Sequence, residues 1–220
     1  MQEFGGAYVA DRAAALSGVP KSTIYYWARK GHLEPSVSRT PLRWSFTDLL
    51  ALRTLYWLRQ TKKAFDQEVP STSWPKIRRA IEQLKDLDLG LFHDSRCVVG
   101  VTLSGEITLD ARNIPPQRVN GQLIQPDIID ILAPFSGLER TMGPDLRMPR
   151  ATLRIIPRKI SGAPHIADTR LPTQTVHALA LRGYSMDELA ELYPFASLDA
   201  LSDSLDLERQ LQRNAQVKAA

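Results

Sequence analysis

Near the head of the chain apolar residues recur at helical spacing, and Val9, Ala13 and Leu16 share one face of a short predicted helix from Ala10 to Leu16. Ser17-Gly18 ends it. A second helix runs to Lys30, with Ser22 as its expected N-cap and Gly31 as the left-handed residue that closes it. Ile24 and Trp27 lie three apart and face inward, which turns Lys21, Thr23, Tyr25, Tyr26, Arg29 and Lys30 outward. His32-Leu33-Glu34-Pro35 then turns into a stretch bearing Arg39, Arg43 and Trp44, which reads as a wing. A Thr47 or Asp48 cap opens a third helix through Leu49, Leu50, Leu52, Leu55, Tyr56 and Leu58.

Gln60 to Ser73 reads as the loop to a helix from Trp74 to about Asp86, with Ile77, Ala80, Ile81 and Leu84 inward and Arg78, Arg79, Glu82 and Lys85 outward. Cys97 to Leu103 and Glu106 to Leu109 alternate with period two around Ser104-Gly105, which predicts a hairpin, and Leu123 to Leu132 adds a strand or short helix. Pro144, Pro149 and Pro157 with Gly143 mark a boundary near residues 140 to 152. Leu153 to Ile156 then reads as a strand and Ile160 to Thr173 as an ordered loop. Three short helices follow. The first is capped by Thr173, buries Val176, Leu179 and Ala180, and stops at Gly183. The second opens on the capping box Ser185-Met186-Asp187-Glu188, turns Leu189 and Leu192 inward, and stops at Tyr193-Pro194. The third is capped by Ser197 and carries Leu198, Leu201, Leu205 and Leu211.

The run Gly18-Val19-Pro20-Lys21-Ser22-Thr23-Ile24-Tyr25-Tyr26-Trp27-Ala28-Arg29-Lys30-Gly31-His32-Leu33-Glu34-Pro35 resembles the winged helix-turn-helix of the MerR family. The pattern of that family is Gly-Val-(Ser/Pro)-x-x-Thr-(Leu/Ile)-Arg-Tyr-Tyr-x-x-x-Gly-Leu-x-x-Pro. Cations and hydroxyls on the outer face of the second helix suit a major groove. The candidate DNA-binding residues are therefore Lys21, Ser22, Thr23, Tyr25, Tyr26, Arg29 and Lys30 on the helix, with Arg39, Arg43 and Trp44 on the wing. Tyr25 stands at the usual Arg position, and the wing offers Arg39 and Arg43 later than the family does, so no base preference carries over. The long dimerising helix that usually follows the module in this family is missing.

Charge separates the first module from the rest. Residues 1 to 64 hold ten Lys or Arg against four Asp or Glu, residues 65 to 150 ten against twelve, and residues 151 to 220 eight against eight. Concentrated positive charge is what counterion release from a duplex requires. One such module buries little area, so a homodimer on a repeated site is expected. No apolar run approaches a membrane span, no signal sequence opens the chain, and the lone Cys97 reads as core, so a cytoplasmic location is expected. His32, His93, His165 and His177 are scattered without ligand spacing, and no phosphate loop or nucleophile pair is recognisable. Neither enzymatic activity nor a cofactor or metal site is expected.

Ile160, Gly162, Pro164, Ile166, Thr169, Arg170, Leu171 and Pro172, followed by Gly183-Tyr184-Ser185 and Tyr193-Pro194, resemble a small antitoxin domain family. Its pattern is Ile-x-Gly-x-Pro-x-Ile-x-Gly-Thr-Arg-(Ile/Leu)-Pro. The resemblance covers roughly residues 153 to 209 and departs at Asp168, where the family usually has Gly; Asp tolerates a left-handed backbone better than most residues. Members resemble VapB-type antitoxins paired with PIN-like ribonuclease toxins. The resemblance implies an antitoxin that represses its own operon and neutralises such a ribonuclease. Arg170, Arg209 and Arg213 are the candidates to meet the carboxylates of the nuclease; the alternative is a free-standing MerR-like regulator responding to a small ligand. The expected fold is mainly α with a small β component. It comprises a MerR-like winged helix-turn-helix with its following helix (1–90), a hairpin-containing connecting region (91–150) and a trihelical, helix-turn-helix-like domain (151–220).

Overall fold

A computed structural model describes residues 5–60, 62–64, 67–69, 71–93, 97–110, 118–119, 122–125, 128–136 and 141–216. Strand β1 (Tyr8–Val9) runs straight into helix α1 (Ala10–Ser17), which buries Ala13, Ala14 and Leu16. Helix α2 (Lys21–Lys30) follows and buries Ile24 and Trp27, the two positions its spacing predicts. Gly18 at φ 73° and Gly31 at φ 67° end the two helices in the left-handed conformation. Gly18 has a second reason to lack a side chain, because a Cβ there would lie 2.7 Å from the Gly143 nitrogen. Ser22 is not the cap of α2. The helix begins at Lys21 behind Pro20, whose fixed φ is already suited to a helix start, and Ser22 stands exposed in the first turn.

The wing is formed by β2 (Ser38–Arg39) and β3 (Leu42–Trp44), in an antiparallel sheet of order β1-β3-β2 that sets Tyr8 opposite Trp44 and Val9 opposite Arg43. Helix α3 (Phe46–Arg59) opens on Ser45 rather than on Thr47 or Asp48. The Ser45 hydroxyl accepts from the Asp48 N–H at 3.1 Å, and the Asp48 carboxylate accepts from the Ser45 N–H at 2.7 Å. Asp48 also receives the N–H and hydroxyl of Ser36, so one buried carboxylate joins the wing to the third helix. Burial pushes the Asp48 pKa above its ordinary value against the pull of these donors.

Where a loop is expected after α3, β4 (Lys62–Ala64) and β5 (Gln67–Val69) pair antiparallel; residues 61, 65, 66 and 70 of that stretch lie outside the described residues. Helix α4 (Trp74–Lys85) buries Ile77, Ala80, Ile81 and Leu84 as its period predicts and packs on α3. The expected hairpin is β6 (Val98–Thr102) with β7 (Ile107–Asp110). It is the edge of a larger sheet: β8 (Arg118–Val119), β9 (Gln122–Gln125) and β10 (Ile128–Asp130) extend it in the order β7-β6-β10-β9-β8. Cys97 is buried, as its apolar neighbours predict.

Two short pairs follow, β11 (Phe135–Ser136) with β12 (Met142–Gly143) and β13 (Leu153–Arg154) with β14 (His165–Ile166). Helices α5 (Thr173–Leu181), α6 (Met186–Leu192) and α7 (Leu198–Gln216) complete the chain. Gly183 at φ 98° closes α5, the Ser185–Glu188 capping box opens α6, and the Ser197 hydroxyl accepts from the Ala200 N–H at 3.1 Å at the head of α7. Thr173 does not cap α5; its hydroxyl bonds the Glu208 carboxylate and the Pro164 carbonyl instead. Leu192 and Leu198 face solvent rather than the core, because they sit at the helix ends where no neighbour covers them. The third helix is not short. It runs 19 residues and lies against both α5 and α1.

One apolar core runs from Tyr8 through α3, α4 and the β6–β10 sheet to Leu211 on α7. Buried Arg53 on α3 crosses this core. Its guanidinium donates to the carbonyls of Leu16 (2.8 Å), Ser17 (3.1 Å), Ile131 (2.9 Å), Ala133 (2.8 Å) and Pro144 (2.6 Å). Burial lowers its pKa to about 9, so it remains a cation at neutral pH. Tyr8 donates from its hydroxyl to the Gly162 carbonyl at 2.7 Å, which seats the 160–162 turn beside β1. Among the described residues no helix is long and apolar enough to cross a membrane.

Candidate nucleic-acid interface

The outer face of α2 is open. Ser22, Tyr25, Tyr26, Arg29 and Lys30 are exposed, while Lys21 and Thr23 are half-buried. The large aromatic rings of Tyr25 and Tyr26 stay 45% accessible although both lie beside the core positions Ile24 and Trp27. Lys21 is not a free cation: its ammonium sits 2.6 Å from the Asp11 carboxylate on α1 and 5.9 Å from the centre of the Tyr25 ring. The hydrogen bond to Asp11 raises its pKa.

On the wing, Arg39 is well exposed and pairs with Glu34, and Arg43 is half-buried at the centre of the three-stranded sheet. Trp44 leaves the candidate set. Strand residues alternate between faces, so the neighbour of a half-exposed Arg43 points the other way, and Trp44 has no exposed surface. Its role is to fill the core opposite Tyr8.

A chain of rings that the sequence does not reveal connects α2 to α4. Tyr26 lies 5.9 Å from His32, His32 stacks on Trp74 at 4.3 Å, and the Arg59 guanidinium lies 4.9 Å from the Trp74 ring. Next to it an open groove of about 590 Å³ separates the wing from α4, with Arg39, Arg78 and Lys85 among its lining cations. Two of the ten N-terminal cations serve the fold instead: Arg53 is wholly buried and Arg12 is paired with Glu208 on α7.

The other candidates lie elsewhere. Arg170 is exposed in the loop before α5, and Arg209 and Arg213 stand one turn apart on the exposed side of α7. The turn ahead of Arg170 places Asp168 at φ 57°, the left-handed conformation that the family's glycine at this position implies. Among the described residues no group of three or more His, Cys, Asp or Glu side chains is gathered as metal ligands.

Residues 8–66 match the family model of the MerR HTH family regulatory protein. The N-terminal module is a MerR-family helix-turn-helix. Residues 154–206 match a second family model, described as a protein of unknown function (DUF433). No curated protein matches the chain, and no solved structure matches it. In the MerR-family module α2 is the second helix, β2 and β3 form the wing, and the polar face just described is the one turned away from the core.

Proposed function

We propose that this chain is the antitoxin of a type II toxin-antitoxin module, which represses its own operon as a homodimer and neutralises a PIN-like ribonuclease. The exposed α2 face of the MerR-family module carries the reading: Arg29 and Lys30 project with no acidic partner among the described residues, beside hydroxyls able to read base edges. The phosphate contacts come from Arg29, Lys30, Arg39 and Arg43, with Tyr25, Tyr26 and Ser22 placed for the groove. The likeness of the loop before α5 to the antitoxin pattern supports the second half. In that half Arg170, Arg209 and Arg213 are the cations offered to the carboxylates of the nuclease.

The experiment has two arms. The tagged full chain is recovered from its native cells after nuclease treatment, and a stoichiometric PIN-like protein is the expected companion. Operator binding is measured for the wild type and for Arg29→Ala with Lys30→Ala. The double variant is expected to bind more weakly, with a salt slope reduced by about two, and to hold the ribonuclease as before. Unchanged operator affinity at physiological salt rejects α2 as the recognition helix. Recovery of the chain alone, still bound to its promoter, favours a free-standing regulator, for which the groove between wing and α4 offers a ligand space.

A further inference from the structure

Helix α6 contributes little to the core. Leu189 is its only buried residue, and the apolar side chains around it lie open to solvent: Leu192 is 50% exposed, Phe195 63% and Leu198 56%. At the other end of the helix Leu181 is 72% exposed and Tyr184 is open as well. Tyr193 and Phe195 form an edge-on aromatic pair, with ring centres 6.0 Å apart, that gives the α6–α7 turn a raised apolar surface. Residues this apolar are not left together on a surface by packing requirements, and a patch of this kind marks a contact with another macromolecule.

Around the α6–α7 turn the nearby charges in the sequence are acidic, and Arg182 lies at the other end of α6. From Gly183 to Glu208 the sequence contains no Lys or Arg. Asp187, Glu191 and Asp199 are exposed on α6 and at the head of α7, while Glu188 is engaged by the Ser185 cap. A second copy docking by a two-fold axis at the α6–α7 turn would set Glu191 and Asp199 against their own equivalents, with Arg182 at the far end of α6. A head-to-tail contact with Arg29 and Lys30 of another copy would build a ring or a filament rather than a two-fold dimer and would occupy the proposed DNA-reading face. The complementary occupant is a different protein with an apolar pocket ringed by Lys and Arg.

We infer that α6 and the α6–α7 turn form the docking face for that partner, with Phe195, Leu192 and Leu198 as anchors and Asp187, Glu191 and Asp199 as the rim. The inference rests on the antitoxin reading and deepens it. An enzyme that cleaves RNA carries cations to hold the phosphates. A carboxylate-rimmed apolar face is suited to cover that track, whereas Arg170, Arg209 and Arg213 would seek the acidic metal centre instead. The face therefore neutralises the nuclease by occluding its RNA-binding surface.

The test uses the ribonuclease that co-purifies with the full chain. Phe195→Glu with Leu198→Glu is expected to weaken its binding at least about 100-fold, with operator affinity and Tm unchanged because both side chains are exposed. Glu191→Lys with Asp199→Lys is expected to slow association about tenfold and flatten its salt dependence, and Phe195→Leu to retain binding. Wild-type affinity in the Phe195/Leu198 double variant overturns the inference. So does a dimer of the chain alone that the same substitutions turn into a monomer, since a second copy would then cover the face. If the wild type itself binds no ribonuclease, the antitoxin reading fails first, and the docking face falls with it.

Discussion

Arg12 on α1 and Glu208 on α7 meet in a bidentate ion pair, Nη1 to Oε2 at 2.6 Å and Nη2 to Oε1 at 2.7 Å, across nearly the whole sequence. The Thr173 hydroxyl at the start of α5 donates to the same carboxylate. Three helices are thus tied through one carboxylate that is almost fully buried, and the MerR-family module cannot shift against α7 without breaking it.

Glu208→Gln removes the charge and leaves the guanidinium half-desolvated. The expected loss of stability is about 2 kcal/mol, between an exposed pair and a fully buried one. Burial works to raise the Glu208 pKa, and the Arg12 pair with the Thr173 hydroxyl outweighs it, so the folded value lies below the ordinary one. A depressed carboxylate stabilises above its unfolded pKa, and that contribution is lost as pH falls through the folded pKa. The Tm gap between the wild type and Glu208→Gln should therefore be full at neutral pH and close on acidification below the ordinary glutamate range. A gap independent of pH would assign the loss to packing alone.

Arg53 offers a sharper case. Six carbonyls from α1 and the 131–144 segment converge on one guanidinium, and an apolar replacement would leave them buried without this donor. Arg53→Met is expected to cost about 4 kcal/mol or more. Arg53→Lys should rescue little, since an ammonium has three donors and no planar fork. Chemical denaturation of both variants decides it; near-wild-type midpoints would mean that water replaces the guanidinium.

These two arginines also show what the sequence could not say. Local periodicity placed α1, α2, α4 and the buried Ile24, Trp27, Ile77 and Leu84 correctly, because burial follows the helical repeat. Counting charges could not separate Arg12 and Arg53, which serve the fold, from Arg29 and Lys30, which face solvent. The caps slipped by a residue or two where several polar candidates stood together: Ser22 lost to Pro20, and Thr47 and Asp48 to Ser45. Grouping Trp44 with Arg43 misplaces it, because alternation along β3 turns the two to opposite faces. β9 and β10 fall on the Leu123 to Leu132 stretch expected as a strand or short helix, whereas the two-residue β8 is too short to carry a period, and the open faces of Leu192 and Leu198 depend on tertiary neighbours that no local pattern records.

Asp168 stands at φ 57° in the turn before Arg170, where the antitoxin pattern has glycine. Asp168→Gly relieves the Cβ strain but adds freedom to the unfolded chain, so the net change should be small, within about 0.5 kcal/mol. Asp168→Val, β-branched in the same conformation, is expected to lose about 1 to 2 kcal/mol. Thermal unfolding of the pair separates backbone strain from a side-chain role. If both variants fall equally, the carboxylate itself matters and the conformational argument fails.

Lys21 makes the strongest prediction about DNA. It stands at the N-terminal end of α2, the proposed recognition helix, but its ammonium is held 2.6 Å from Asp11, a carboxylate that is itself 58% exposed. A duplex brought to the α2 face would meet this carboxylate, whose charge both repels phosphates and neutralises a cation that would otherwise bind them. Asp11→Asn should therefore raise operator affinity by about three- to tenfold and steepen the salt dependence by up to one counterion. Because both partners are exposed, the lost pair should change Tm little. Fluorescence anisotropy over a salt series, with Lys21→Ala as the counterpart, measures both effects. Lys21→Ala should bind more weakly than the wild type, and the benefit of Asp11→Asn should shrink in its background. An Asp11→Asn affinity equal to the wild type at every salt concentration would place the DNA away from the N-terminal turn of α2.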